Sequence, residues 1–257
     1  MTLQMPDPGF FVGYFKKIPP AILRVALVSG GFFIAGLVGA SLALSLSEKS
    51  PGSGGYVDEL RGGRLSGFIE TQPYPILRVP ARDGQAPRAI MLSGQGKTGV
   101  AETARLLDGR WAEVSGIFVK RGDLDMLLVG GRDGLRAATL PTDAAQPGKV
   151  IPLGRWRLTG EICDGKCFAG AMRPGSGLAH KACANLCITG GVPPVFVTTS
   201  PVDGRSFLLM AGTDGGPLPE ELLDQTAVLI ELEGEVERRD DMLIFRVDWP
   251  GQGRAGS

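Results

Sequence analysis

The longest uniform pattern in the chain is apolar: residues 25–47 (VALVSGGFFIAGLVGASLALSLS) carry no charge over 23 positions. As a helix this run is about 35 Å long, enough to cross a hydrocarbon core of about 30 Å. The residues ahead of it, 1–24, hold Lys16, Lys17 and Arg24 against Asp7. The positive-inside rule then predicts a cytoplasmic N-terminal segment (1–24), a transmembrane helix (25–47) and an outer, periplasmic remainder on a bacterial cytoplasmic (inner) membrane. A cleaved signal peptide is the competing reading, with Ala43-Leu44-Ser45 as its cleavage site, but such apolar regions ordinarily run about 7–15 residues. Phe10, Phe11, Tyr14 and Phe15 precede the two lysines, an aromatic and then basic edge of the kind found at membrane interfaces. Within the span, Gly31, Ala35, Gly39 and Ala43 recur every fourth residue and share one helix face. Small residues at that spacing let a second transmembrane helix approach closely, although glycine and alanine are common in membrane helices in any case.

Beyond the span the pattern changes. Residues 48–56 (EKSPGSGGY) read as a linker without apolar periodicity. Short alternating runs follow, and they repeat. Arg64-Leu65-Ser66-Gly67-Phe68-Ile69 returns as Arg157-Leu158-Thr159-Gly160-Glu161-Ile162, 93 positions later. Gly116-Ile117-Phe118-Val119-Lys120-Arg121 returns as Gly234-Glu235-Val236-Glu237-Arg238-Arg239, 118 positions later. Such self-similarity means two copies of one unit. In the first copy strands are predicted near 63–70, 74–79, 88–92, 111–120 and 124–129, with a short helix over Glu102–Leu107. In the second they are predicted near 155–162, 195–199, 206–211, 226–237 and 242–248, with a short helix over Glu220–Leu223. Three strands, a helix and two strands is the order of the OB-fold, a five-stranded Greek-key barrel; a plain β-sandwich is the alternative. The fold class is therefore mainly β: the N-terminal transmembrane helix, then two tandem OB-like barrels (57–150 and 151–250) and a flexible tail (251–257).

The two offsets differ by 118 − 93 = 25 residues, and Cys163 to Cys187 is a 25-residue segment falling in that gap. The second barrel thus carries a Cys-rich insertion, 163–191, between its first two strands, a connection that often frames the ligand site of an OB-fold. It holds Cys163, Cys167, Cys183 and Cys187, every cysteine of the chain, and the only histidine, His180. A helix is predicted from His180 to Cys187, stopped by Gly190-Gly191. Offsets of 3 and 7 place His180, Cys183 and Cys187 within about 60° on that helix, and Cys163 and Cys167 are expected opposite them. Outside the cytoplasm an even cysteine count first suggests disulfides, here from Cys163 and Cys167 to Cys183 and Cys187, which leaves no cofactor. The second reading is a metal site: thiolates with His180 suit zinc or cuprous copper. The third is a redox-active thiol pair beside Lys166 and Lys181.

Composition narrows the classes. Lys+Arg and Asp+Glu each number 27, which excludes a nucleic-acid partner recruited by basic excess. The 43% hydrophobic content excludes a disordered chain, and 39 glycines with 19 prolines suit many short strands. Gly94-Gln95-Gly96-Lys97-Thr98 resembles the end of a phosphate loop, but its leading glycine is missing (Met91) and it reads as a turn. Arg238-Arg239-Asp240-Asp241 reads as a polar hairpin tip. No Ser-His-Asp or paired-carboxylate arrangement is present, so no catalytic residue is assigned.

The chain resembles a largely uncharacterised family of bacterial membrane-anchored extracytoplasmic proteins. The resemblance is carried by Phe10-Phe11-Val12-Gly13-Tyr14, Pro73-Tyr74-Pro75-Ile76-Leu77-Arg78-Val79 and Gly94-Gln95-Gly96-Lys97. Its most specific part is Gly160-Glu161-Ile162-Cys163-Asp164-Gly165-Lys166-Cys167, then His180-Lys181-Ala182-Cys183-Ala184, then Gly190-Gly191-Val192-Pro193-Pro194. Members of that family often carry an aliphatic residue at the position of Cys163, which implies a shared core of Cys167, His180, Cys183 and Cys187. The resemblance implies an accessory protein of membrane redox chemistry. The leading expectation is accordingly a non-catalytic accessory subunit or assembly factor of a membrane complex, with other transmembrane subunits as partners and a small-molecule ligand left unknown. The alternative is a metal- or haem-handling protein, or a thiol oxidoreductase, acting through the Cys/His segment.

Overall fold

A computed structural model describes residues 18–47, 52–82 and 84–249. The aromatic and basic edge at 10–17, most of the linker before residue 52 and the tail 251–257 lie outside the described residues. Helix α1 runs Pro20–Ser47. It starts ahead of the uncharged run because proline needs no donor partner in a first turn. Among the described residues it is the one helix long and apolar enough to cross a membrane, with a mean hydropathy of 2.1 over Pro20–Ala43. That is compatible with a single-pass anchor, and a signal sequence has the same character. Gly31, Ala35, Gly39 and Ala43 are all exposed, and a Cβ placed on Gly31 or Gly39 meets nothing within 4 Å.

The rest of the described chain is a separate compact unit built on two β-sheets. The first takes in β1 (Gly55–Val57), β2 (Leu65–Glu70), β3 (Ile76–Val79), β4 (Arg88–Ser93), helix α2 (Ala101–Arg105), β5 (Trp111–Val114), β6 (Gly116–Arg121), β7 (Leu124–Val129) and β8 (Leu135–Ala137). Its strand order is β1-β6-β7-β4-β3-β2-β5-β8. The second takes in β9 (Ile151–Asp164), β10 (Pro194–Val202), β11 (Arg205–Ala211), β12 (Leu229–Arg239) and β13 (Met242–Val247). It closes into a barrel in the order β10-β11-β13-β12-β9, whereas the first, expected to be a five-stranded barrel as well, is an eight-stranded sheet.

The repeated glycines explain themselves in this geometry. A Cβ on Gly67 of β2 would stand 2.5 Å from the Arg78 carbonyl oxygen, and one on Gly160 of β9 2.3 Å from that of Val197. On Gly116 and Gly234 the distances are 1.9 Å to the Leu128 oxygen and 2.1 Å to the Arg246 oxygen. Each glycine lets a neighbouring strand cross closely where a sheet coils. The pairing series also correspond: β4 runs parallel to β7, as β11 does to β13, and all other pairings are antiparallel.

Several predicted bounds are corrected. The strand expected over 111–120 is two strands, broken at Ser115, where Ser115 N–H turns aside to the Gly134 carbonyl and the Ser115 carbonyl accepts from Gly130. In the second sheet the matching strand, β12, stays whole and pairs with both β9 and β13. β1 and β8, three residues each, are too short to show alternation. β9 extends to Asp164, so Cys163 lies on a strand and not in a loop. The helix expected at 220–223 is a 3-10 helix, Glu220–Gln225.

Side chains alternate between separate cores. Leu77, Ile90, Leu92, Leu127 and Val129 fill the first sheet, and Leu208, Met210, Leu243 and Phe245 fill the barrel. Their neighbours Ile76, Met91, Met126, Leu128, Phe207, Leu209 and Ile244 point the other way into a third core, which joins the two sheets and also contains Cys163, Cys167 and Cys187. This is why β4, β7 and β11 read as continuous apolar runs: both faces are covered.

The polar tip predicted at 238–241 is the turn of the β12–β13 hairpin, and it also forms the second junction. Asp240 Oδ2 accepts from Arg78 Nε at 2.7 Å, Asp240 Oδ1 accepts from Gly148 N–H and Asp241 accepts from Ala89 N–H at 2.7 Å. Arg78 also donates to Glu70 and to the Gly148 carbonyl, and Arg239 reaches Glu70 and the Gln72 carbonyl.

Candidate functional site

The connection from β9 to β10 brings the chemistry together. β9 ends on Asp164, whose fully buried carboxylate accepts the Cys167 N–H at 2.8 Å through Oδ1. This bond starts the π-helical turn Cys167–Ala171 and fixes where Cys167 points. Phe168 anchors the turn, edge-on to Phe207 and beneath the Arg121 guanidinium, 4.2 Å from the ring centre. Further on, the 3-10 turn Leu178–His180 leads into helix α3 (Lys181–Thr189), which ends at Gly190. His180 stands at the boundary of the 3-10 turn and α3, with no side-chain capping bond, and its three-residue spacing to Cys183 puts both on one side. Cys183 and Cys187, four apart, share a face.

The Asp164 Oδ2 atom lies 2.9 Å from His180 Nε2. With the ring hydrogen on Nε2, the carboxylate fixes the imidazole and leaves Nδ1 as the acceptor. Two groups of donor atoms result, each with all members within 4.8 Å of one another: Cys167, His180 and Cys183, and Asp164, Cys167 and Cys187. Cys167 belongs to both.

Four of the five expected ligands fall in these two groups, His180 and Cys183 in the first, Cys187 in the second and Cys167 in both. The fifth, Cys163, joins neither group. Its thiol donates to Glu161, which also holds the 175–177 loop through Gly177 N–H at 2.6 Å. Burial, with the negative charge of Glu161, pushes the Cys163 thiol well above its ordinary range, as expected of an inert buried thiol. The disulfide expectation is not met: all four cysteines are free. Cys163 cannot serve as the partner of a helix cysteine while β9 directs it into the core beside Glu161.

The electrostatics single out the cluster. The neighbouring Cys167 thiol lowers the Cys187 thiol from its usual value, and Lys166 and Lys97 add attraction. Cys167 is driven the opposite way by Cys187, by burial and by Asp164. Lys97 Nζ donates to Cys183 Sγ at 2.9 Å, and this bond raises the lysine. Lys166 is buried and donates to the Gly94 carbonyl. Cys167, Cys183 and Cys187 line an open cleft of about 990 Å³, walled by Tyr56, Ile117, Leu128 and Met172, with Lys97 and Lys166 at its side.

Three residues of the site were not assigned from sequence. Lys97 belongs to a glycine-rich turn that is seated on the end of α3: Gly99 N–H donates to the Gly190 carbonyl at 2.7 Å, and a Cβ on Gly190 would strike the Lys97 oxygen at 1.9 Å. The signal was the motif Gly94-Gln95-Gly96-Lys97 itself. Asp164 stood three residues before Cys167, the spacing of a carboxylate that accepts from a following N–H. Met172 gave no signal. Lys181, expected beside the thiols, instead donates to the Asp224 carbonyl.

No protein-family model matches the chain, and no curated protein and no solved structure is similar to it.

Proposed function

We propose that the chain is a membrane-anchored, periplasmic metal-binding protein with two tandem OB-like units, holding a soft ion at Cys167, His180, Cys183 and Cys187. The observation that carries this reading is that Cys167 shares one donor group with His180 and Cys183 and a second with Cys187, with the imidazole oriented by a buried carboxylate. Donors around a tetrahedral ion at about 2.3 Å stand about 3.8 Å apart, so Cys167, His180 and Cys183, within 4.8 Å of one another, close on an ion by side-chain rotation, and Cys187 completes the set by swinging toward them from its place beside Cys167. Asp164 then plays the part of the carboxylate that commonly backs a metal-bound histidine. The lysines at the cleft offset the charge of the thiolates, and the thiol protons leave to solvent as the ion enters. The OB-like assignment is supported by the shared strand order and the matching parallel pairs; the Cys/His connection is read as an insertion in the second unit. Thiol exchange with another protein is disfavoured by burial, since Cys167 and Cys187 are 4% and 1% exposed. The accessory-subunit role is retained as the setting: the uncovered small-residue face of α1 offers a helix-packing surface for a membrane partner.

The test is elemental analysis of the full chain, purified reduced in mild detergent and incubated with zinc or cuprous copper. About one ion per chain is expected after gel filtration. Four titratable thiols with no retained metal overturn the proposal. A graded prediction concerns Asp164→Asn, which keeps an acceptor for Cys167 N–H but loses the charge behind His180. Metal affinity should fall about 10–100-fold by chelator competition, and an unchanged affinity removes Asp164 from this role.

A further inference from the structure

We infer that the ion taken by this site is monovalent copper and that Met172 is its ligand at the mouth of the cleft, an inference that rests on the metal-binding reading above. Met172 is 46% exposed, a long apolar side chain at the surface, yet its sulfur is turned inward. Its Sδ lies 3.6 Å from Cys183 Sγ and accepts that thiol's hydrogen. Both residues line the cleft that leads to Cys167 and Cys187. The methionine directly follows the turn Cys167–Ala171, so one short segment supplies a deep thiol and an outer thioether.

The chemistry of a thioether decides between the two candidate ions. Zinc in proteins is held by thiolate, imidazole and carboxylate, whereas the softer cuprous ion also takes methionine sulfur. A thioether carries no proton to displace and no charge to desolvate, which suits a donor standing half in water. Cys183 is the least buried of the four cysteines, and its sulfur lies within 4.8 Å of the donor atoms of Cys167 and His180. An ion gripped by Met172 and Cys183 is therefore one ligand exchange away from the inner set. Lys97 holds Cys183 at 2.9 Å, and being exposed it swings into water as the ion arrives. Among the described residues no carboxylate lines the cleft, and Asp164, beneath it, is committed to Cys167 N–H and His180.

The experiment uses the full chain in detergent, reduced and metal-free, titrated under argon with cuprous ion supplied as its acetonitrile complex against bathocuproine disulfonate. A parallel titration uses zinc against a chromophoric zinc chelator. Met172→Leu preserves bulk at an exposed position and should weaken cuprous binding at least about tenfold while leaving zinc binding unchanged. In selenomethionine-labelled protein, copper X-ray absorption should show a selenium neighbour that disappears in Met172→Leu. If the variant keeps full cuprous affinity, or loses affinity for both ions equally, or if no selenium neighbour is seen, the copper–thioether inference is overturned while the metal reading stands. If the unaltered chain retains neither ion, the metal reading itself falls.

Discussion

Arg78→Met should lower the unfolding free energy by about 3–5 kcal/mol, a large part of the 5–15 kcal/mol that holds a typical domain together. The side chains of Arg78 and Asp240 are 6% and 2% exposed, with Nε and Oδ2 2.7 Å apart. Removing the guanidinium leaves a buried carboxylate whose remaining bond is from Gly148 N–H at 3.2 Å, and that bond does not offset a desolvated charge. The pair itself need not be strongly stabilising; the asymmetry lies in breaking one half of it. Asp240 sits at a left-handed backbone position, φ 53°, which asparagine also tolerates. The double variant Arg78→Met with Asp240→Asn should therefore recover most of the loss. Urea unfolding followed by tryptophan fluorescence reads this out, because Trp111, Trp156 and Trp249 all belong to the two-sheet unit. A loss below about 1 kcal/mol in the single variant, the range of surface ion pairs, would show that the junction does not depend on this pair.

The second large effect concerns Cys167. Because its sulfur belongs to both donor groups, Cys167→Ser should abolish metal retention, whereas Cys163→Ser should leave the stoichiometry unchanged. Structural zinc sites of four ligands bind with about 10–16 kcal/mol, or about 2.5–4 kcal/mol per ligand. Loss of one thiolate then weakens binding about 10²–10³-fold, enough to strip the ion during gel filtration. Serine at 163 can still donate to Glu161, so that variant should fold and serves as the control. Metal retained by Cys167→Ser, or lost by Cys163→Ser, would contradict the assignment of Cys167 and not Cys163 to the site.

Elements with a strong period were legible. The span beginning at 25 reads directly as α1, and the repeats at Gly67/Gly160 and Gly116/Gly234 mark the same strand crossings in both sheets. What failed was anything decided by a partner distant along the chain. Arg238-Arg239-Asp240-Asp241 has the composition of a solvated tip whether or not Arg78 waits beneath it. Lys97 lies 86 positions from Cys183, so no local pattern could pair them. Cys163 was grouped with the other cysteines because the end of β9 was placed two residues early; as a strand residue, alternation turns it into the core beside Glu161. The approach of His180 and Cys183 to one side was readable because they lie three residues apart, one helical turn.

The seat of the Gly94–Gly99 turn on the end of α3 has a consequence for the order of events during synthesis. Lys97 and the turn that carries it leave the ribosome well before α3 exists. The thiols take their positions only after β9 has ended and the helix has found that turn. The thiol cluster is therefore completed late, by a chain whose halves have already met, through a backbone contact that leaves no room for a side chain on Gly190.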